Sequence, residues 1–184
     1  VSAFRTNNTT SYKLALASAL IELADTAPLR LDRIARVVAK RYYVHDRVFR
    51  LQESNNANSL PVAIQVVRWA SGNFPGEPPA RAPSDVVARA ASELTEPRYF
   101  PAQYSFFRYV LESLDREHAF YDFDRTAGYL TCSEGFVGLV AQHREVLQEL
   151  VAHHWVRFLE KFNDCPRLMA KVSIRKPIRR LSGF

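Results

Sequence analysis

The stretch FVGLVAQHREVLQELVAHHWVRFLEKF, residues 136–162, decides how the rest of the chain is read. Val140, Val146, Leu147, Leu150, Val151, Trp155, Phe158, Leu159 and Phe162 keep a spacing of three and four, the period of one helical face. A strand would alternate every second residue instead. Asn163-Asp164-Cys165-Pro166 ends the pattern, because proline cannot continue a helix. A long helix with one apolar face needs other elements to cover it. The expected class is therefore mainly α, a helical bundle with a long C-terminal helix.

The N-terminal third supplies partners. Ser11 to Asp25 reads as a helix capped by Thr9 or Thr10 and stopped by Pro28. Leu14, Leu16, Leu20, Ile21 and Leu23, with Ala15, Ala17, Ala19 and Ala24 among and after them, leave almost no polar face, which marks a buried helix. Leu29-Arg30-Leu31 is briefly extended, and Asp32 is a good cap for a second helix. Ile34, Val37, Val38 and Tyr42 form its inner stripe, while Arg33, Arg36 and Lys40 fall on the other side. Glu53 to Ser59 reads as a polar loop. Ser59 caps a third helix that accepts Pro61 in its first turn. Ala63, Ile64, Val67 and Ala70 face inward there; Gln65, Arg68 and Trp69 are left at the edge. These three helices resemble a helix-turn-helix in outline.

Gly72 to Pro83 holds too many glycines and prolines for a helix or central strand and reads as a linker. The organisation expected is an N-terminal helical subdomain (1–74), a linker (75–83), a C-terminal helical subdomain with a hairpin (84–166) and a basic connector (167–184). Ser84 caps a fourth helix, with Val87, Ala90, Ala91 and Leu94 inward, ending before Pro97. Residues 99–123 are dense in aromatics. About Gln103 to Leu114 reads as a helix, and Phe120-Tyr121-Asp122-Phe123 with Tyr129-Leu130-Thr131 reads as one small β-hairpin. Aromatics at these spacings pack a core; base stacking is their other use.

Charge is unevenly distributed. The chain has 25 Lys+Arg and 19 Asp+Glu. From Cys165 onward Arg167, Lys171, Arg175, Lys176, Arg179 and Arg180 meet no acidic residue, so the rest of the chain is neutral. A pI near 9.5 points to an anionic partner, nucleic acid ahead of membrane. Two cysteines, Cys132 and Cys165, are too few for a disulfide framework or a zinc cage and imply free thiols in a reducing cytosol. No run of about 18 apolar residues exists, and Val1-Ser2-Ala3-Phe4 lacks the features of a secretory leader, so a cytoplasmic, non-membrane protein is expected.

No catalytic constellation stands out. The five histidines offer no HExxH pair, and Glu149 with His153 reads as a solvated helical pair. Asp122 and Asp124 share a strand face that can hold Mg²⁺, but no Glu-x-Lys completes a nuclease site. There is no phosphate-binding loop and no Gly-x-Ser-x-Gly elbow. In the helix-turn-helix reading, Gln65 and Arg68 face a groove, and Lys13, Arg33 and Arg36 meet phosphates. The connector basics Arg175, Lys176, Arg179 and Arg180 add salt-dependent contacts.

Several short patches resemble one group. Asn7-Asn8-Thr9-Thr10-Ser11-Tyr12-Lys13, Leu31-Asp32-Arg33-Ile34-Ala35 leading to Arg41-Tyr42-Tyr43, Trp155 to Asn163 with Pro166 and Lys171, and Ile178-Arg179-Arg180-Leu181 are similar to the N-terminal helical region of bacterial HNH-type endonucleases. The resemblance implies a helical region followed by a ββα nuclease module that uses a histidine and a divalent metal. This sequence ends at Phe184, where the module would begin, and no catalytic or metal-binding residue carries over. The expectation is a DNA-engaging or scaffolding region of a restriction- or defence-like nuclease, non-catalytic by itself, with no cofactor of its own. The alternative is a protein-interaction or homodimerisation module with no nucleic-acid role. A metal enzyme using Asp122 and Asp124 is the third reading.

Overall fold

A computed structural model describes residues 11–26, 28–54, 60–72, 77–100, 120–124, 126–164 and 168–172. The order is α1 (Tyr12–Leu23), β1 (Leu29–Arg30), α2 (Leu31–Tyr43), a π-helical turn (Val44–Val48), α3 (Val62–Ser71), α4 (Ser84–Thr95), β2 (Tyr121–Asp124), β3 (Tyr129–Cys132), α5 (Glu134–Leu159) and α6 (Leu168–Val172). The chain is mainly α. The expected helix at 103–114 and the connector basics from Arg175 onward lie outside the described residues.

α1 is buried on nearly every side, as its even apolar composition requires. It packs between α2 and α5, and α2 in turn packs against α3 and α4. The core runs through all of these, from Leu14 and Ile34 through Ile64 and Leu94 to Trp155 and Leu159. α2 shows why one stripe decides its position: Ile34, Val37, Val38 and Tyr42 are buried, and Arg33, Arg36 and Lys40 are exposed. α3 ends where Gly72 turns to a positive φ of 59° and its N–H reaches the carbonyls of Arg68 and Trp69.

The hairpin forms at the expected place. Asp124 Oδ1 accepts from the N–H groups of Thr126 and Ala127, and Gly128 closes the turn at φ 68°. The sheet has a third strand, however. Leu29 pairs with Leu130 and Arg30 with Tyr129, giving an antiparallel order β1-β3-β2. The brief extended segment after Pro28 thus joins a hairpin about a hundred residues later in the chain.

α5 departs from its expected stripe. Ser133 caps it by accepting from Phe136 N–H, and Val140, Val151, Trp155, Phe158 and Leu159 are buried. Val146 is 63% exposed, and Leu150 is exposed too. His143 explains the break: its φ of −131° and ψ of 25° kink the helix, so one stripe cannot run straight through both halves. Arg144, just past the kink, ties α5 to the end of α1. Its guanidinium donates to the carbonyls of Ile21 (2.9 Å) and Glu22 (3.2 Å) and pairs with Asp25. Among the described residues no helix is long and apolar enough to cross a membrane.

Candidate nucleic-acid interface and the buried carboxylates behind it

The outward face of α2 carries Arg33, Arg36 and Lys40, all exposed. Spacings of three and four put them on one side of the helix, and the outer two are about 10 Å apart along its axis at ~1.5 Å per residue. None of the three is in an ion pair among the described residues. Arg41, one step round the helix, is instead committed to Glu22 at 2.9 Å. The result is an open row of three cations on a rigid element whose opposite face is core.

The residues singled out on α1 and α3 are placed differently. Arg68 forms a bidentate pair with Asp46, with contacts of 2.6 to 3.1 Å. Asp46 is 3% exposed and Arg68 47%, so the guanidinium covers a buried carboxylate while keeping one side in water. That bond raises the Arg68 pKa further above its ordinary value. Gln65 donates to the Leu60 carbonyl at 2.7 Å, securing the entry to α3. Lys13 borders an apolar hollow of about 120 Å³ between α1, β2 and α5, lined by Leu16, Leu20, Phe136, Leu147 and Leu150. Gln65 and Arg68 are thus held in internal bonds, and the three do not form one surface.

The π-helical turn explains the Asp46 side of this arrangement. α2 runs into one wide turn, closed by Phe49 N–H on the Val44 carbonyl, and Arg50 reverses the chain at φ 54°. This turns both His45 and Asp46 inward. Asp46 meets Arg68. His45 packs edge-on against Trp155, with ring centroids 4.5 Å apart, and its Nδ1 has no hydrogen-bond partner among the described residues. Burial, with a smaller contribution from the Arg41 charge, pushes the His45 pKa down to about 3.

Glu53, which the sequence placed in a polar loop, is buried beside this turn. One carboxylate oxygen accepts from the Ser11 hydroxyl and the other from the Trp155 indole N–H at 3.3 Å. Ser11 shares a second hydrogen bond of 2.6 Å with the Tyr42 hydroxyl. Ser11 stands at the α1 N-cap but caps nothing, because its hydroxyl is used here. Burial pushes Glu53 up to about 7; the Ser11 and Trp155 hydrogen bonds oppose this, and the Asp46 charge adds to it. Burial also holds the Tyr42 pKa well above the phenol range, helped by the nearby Glu53 and Tyr12. Glu53 therefore joins the start of α1, α2 and α5 through neutral donors, with no cation bonded to it among the described residues.

Glu93 on α4 is the third buried carboxylate. One oxygen accepts from three consecutive backbone N–H groups, those of Arg98, Tyr99 and Phe100, at 2.8, 2.7 and 2.9 Å. Asp122 and Asp124 share the exposed face of β2 as expected, but Asp124 is occupied by the hairpin turn. Among the described residues no three His, Cys, Asp or Glu side chains gather in a metal-binding group. Burial raises the Cys132 thiol pKa, which disfavours the thiolate a nucleophile needs. No family model, curated protein or solved structure matches this chain.

Proposed function

We propose that this chain is a DNA-engaging or scaffolding helical region of an HNH-type, restriction- or defence-like endonuclease. The observation that carries the DNA side of this reading is the α2 face. Arg33, Arg36 and Lys40 stand in an exposed row with no carboxylate paired to them among the described residues. Duplex DNA presents a phosphate about every 3.4 Å along each strand, so a row of this length meets several phosphates without reading sequence. The connector basics Arg175, Lys176, Arg179 and Arg180 extend the same chemistry. The resemblance of the patches around Tyr12, Asp32 and Trp155 supplies the choice of nuclease class.

The test is binding of a mixed-sequence duplex, followed by anisotropy between about 50 and 200 mM salt. The expected log–log slope is negative. Changing Arg33, Arg36 and Lys40 together to Ala should lower its magnitude by about 3, at ~0.9 per phosphate contact. The fourfold Ala variant of the connector basics should lower it again. Duplex binding without salt dependence, or slopes unmoved by either variant, would sink the reading.

The exposure of Leu139, Val146 and Leu150 on α5 favours a second reading, a face for a second copy of the chain. Solution mass with and without DNA separates the two. A dimer lost in Val146→Glu with DNA affinity unchanged would favour the second.

A further inference from the structure

Among the described residues most large aromatic rings are buried or half-buried. Phe120, beside Phe136, is 42% exposed, and the other two exposed rings are Trp69 and Tyr99, at 39% and 69%. Trp69 and Tyr99 lie together: their ring centroids are 4.8 Å apart at a tilt of 39°, and Phe100 meets Trp69 edge-on at 6.4 Å. Trp69 is fixed by the last turn of α3. Tyr99 lies in neither helix nor strand, yet its backbone is immobilised because Glu93 accepts the N–H groups of residues 98 to 100 on one buried oxygen. Rings held in this way lose little entropy when a ligand lands on them.

Each ring has an arginine beside it in sequence. Arg98, next to Tyr99, is exposed. Arg68, next to Trp69, is clamped to Asp46 with its guanidinium half in water. A rigid π-surface beside an arginine fits a flat ring attached to an anion. An apolar or proline-rich peptide would use the rings but not the charge. A nucleotide uses both, since every base has a π-face and arginine matches phosphate geometry.

We propose that Trp69 and Tyr99 form a stacking platform for an unpaired nucleobase, with Arg98 meeting the adjoining phosphate. This inference rests on the DNA-engaging reading for its choice of partner, and it assigns unpaired bases to a different element from the α2 row.

The chain has two tryptophans, and Trp155 is 2% exposed, so stacking quenches Trp69 selectively. The experiment titrates the full chain with short oligothymidylate while following tryptophan emission, with anisotropy of the same oligonucleotide and of a duplex in parallel. Binding should quench the emission. Tyr99→Ala, which removes an exposed ring, should weaken single-strand binding about tenfold or more while leaving duplex binding within about twofold. Trp69→Phe should bind and show no quench. Changing Arg33, Arg36 and Lys40 to Ala should weaken the duplex but leave the quench at saturation. Oligothymidylate that binds without quenching overturns the platform and leaves the DNA reading standing, as does undiminished binding by Tyr99→Ala. A proline-rich peptide that shifts the emission where oligothymidylate does not reassigns the surface to peptide. Absence of both single-strand and duplex binding overturns both proposals.

Discussion

Glu53 and Glu93 are both buried, and the protein satisfies them by opposite means. Glu93 collects three backbone N–H groups on one oxygen, an arrangement made for a negative charge. Glu53 collects a hydroxyl and an indole, weaker donors that serve a neutral acid as well. Asp46 represents a third solution, a bidentate arginine. The charge is built into the Glu93 and Asp46 sites and is a burden at Glu53. The difference follows position. Glu53 lies where α1, α2 and α5 meet and bonds no cation among the described residues, whereas Glu93 and Asp46 serve segments next to the surface.

The largest effect should come from pH. Glu53 has a raised folded pKa, so its contribution is fully present below about pH 4.5 and is lost as pH rises towards 7. His45 has a depressed pKa, so its contribution is present above about pH 6.5 and is lost as pH falls towards 3. Between pH 4.5 and 6.5 the two slopes oppose, and the wild type should show a plateau, losing stability on either side. Single variants should split it. In His45→Gln, urea stability should fall by about 3 kcal/mol from pH 4.5 to 7, at ~1.4 kcal/mol per pH unit. In Glu53→Gln it should instead rise with pH over the acid range. A plateau that survives both substitutions would show that folding shifts neither pKa.

Removing the cation from Asp46 should cost somewhat less. Arg68→Ala leaves a buried carboxylate unpaired, a change worth ~3–5 kcal/mol for a fully buried pair. Half of the guanidinium is in water, so about 2–3 kcal/mol is expected, read as a lower urea midpoint. The comparison sharpens if Asp46→Asn with Arg68→Ala recovers most of the loss. It breaks if Arg68→Ala is neutral, because Asp46 would then be no more demanding than Glu53. This variant also guards the DNA experiments: weakened binding by Arg68→Ala has to be judged after its stability is known.

Glu93→Gln tests the other half. It keeps one acceptor oxygen but loses the charge that three amides share, and a charge-assisted bond is worth ~1.5–3 kcal/mol against ~1 for a neutral one. A loss of about 2 kcal/mol is expected, with faster amide exchange at residues 98–100. Glu53→Gln, by contrast, should be as stable as wild type or more so at pH 8. If the two Gln variants behave alike, donor chemistry does not distinguish the sites.

These carboxylates mark the limit of what the sequence revealed. Spacing identified the inner faces of α2, α3 and α4 and the long α5, because burying one stripe imposes a period on each segment. The hairpin was legible from alternation and its turn. Glu53 was not, since the residues that bury it come from Ser11, Tyr42 and Trp155, the last of them 102 positions away. The pairing of Leu29 with Leu130 and the kink at His143 are likewise set by distant packing. Arg68 shows the same limit at the candidate interface. Periodicity puts it on an outward edge, but only the π-helical turn, which brings Asp46 round, shows that its guanidinium is already engaged.

Ser18 supplies the smallest test and the extreme of the comparison, a buried polar group with no partner among the described residues. It is fully buried in α1 and its hydroxyl makes no hydrogen bond to any of them. The Tyr121 hydroxyl shares this state among the described residues, but three others find acceptors: Ser71 bonds the Val67 carbonyl at 2.7 Å, Thr95 the Ala91 carbonyl at 3.0 Å, and Ser11 reaches Glu53. An unsatisfied buried hydroxyl costs ~1–3 kcal/mol, and alanine is the better helix former. Ser18→Ala should therefore raise stability by about 1 kcal/mol, seen as a higher urea midpoint at unchanged slope. A lower midpoint would mean that the Ser18 hydroxyl has a partner in solution.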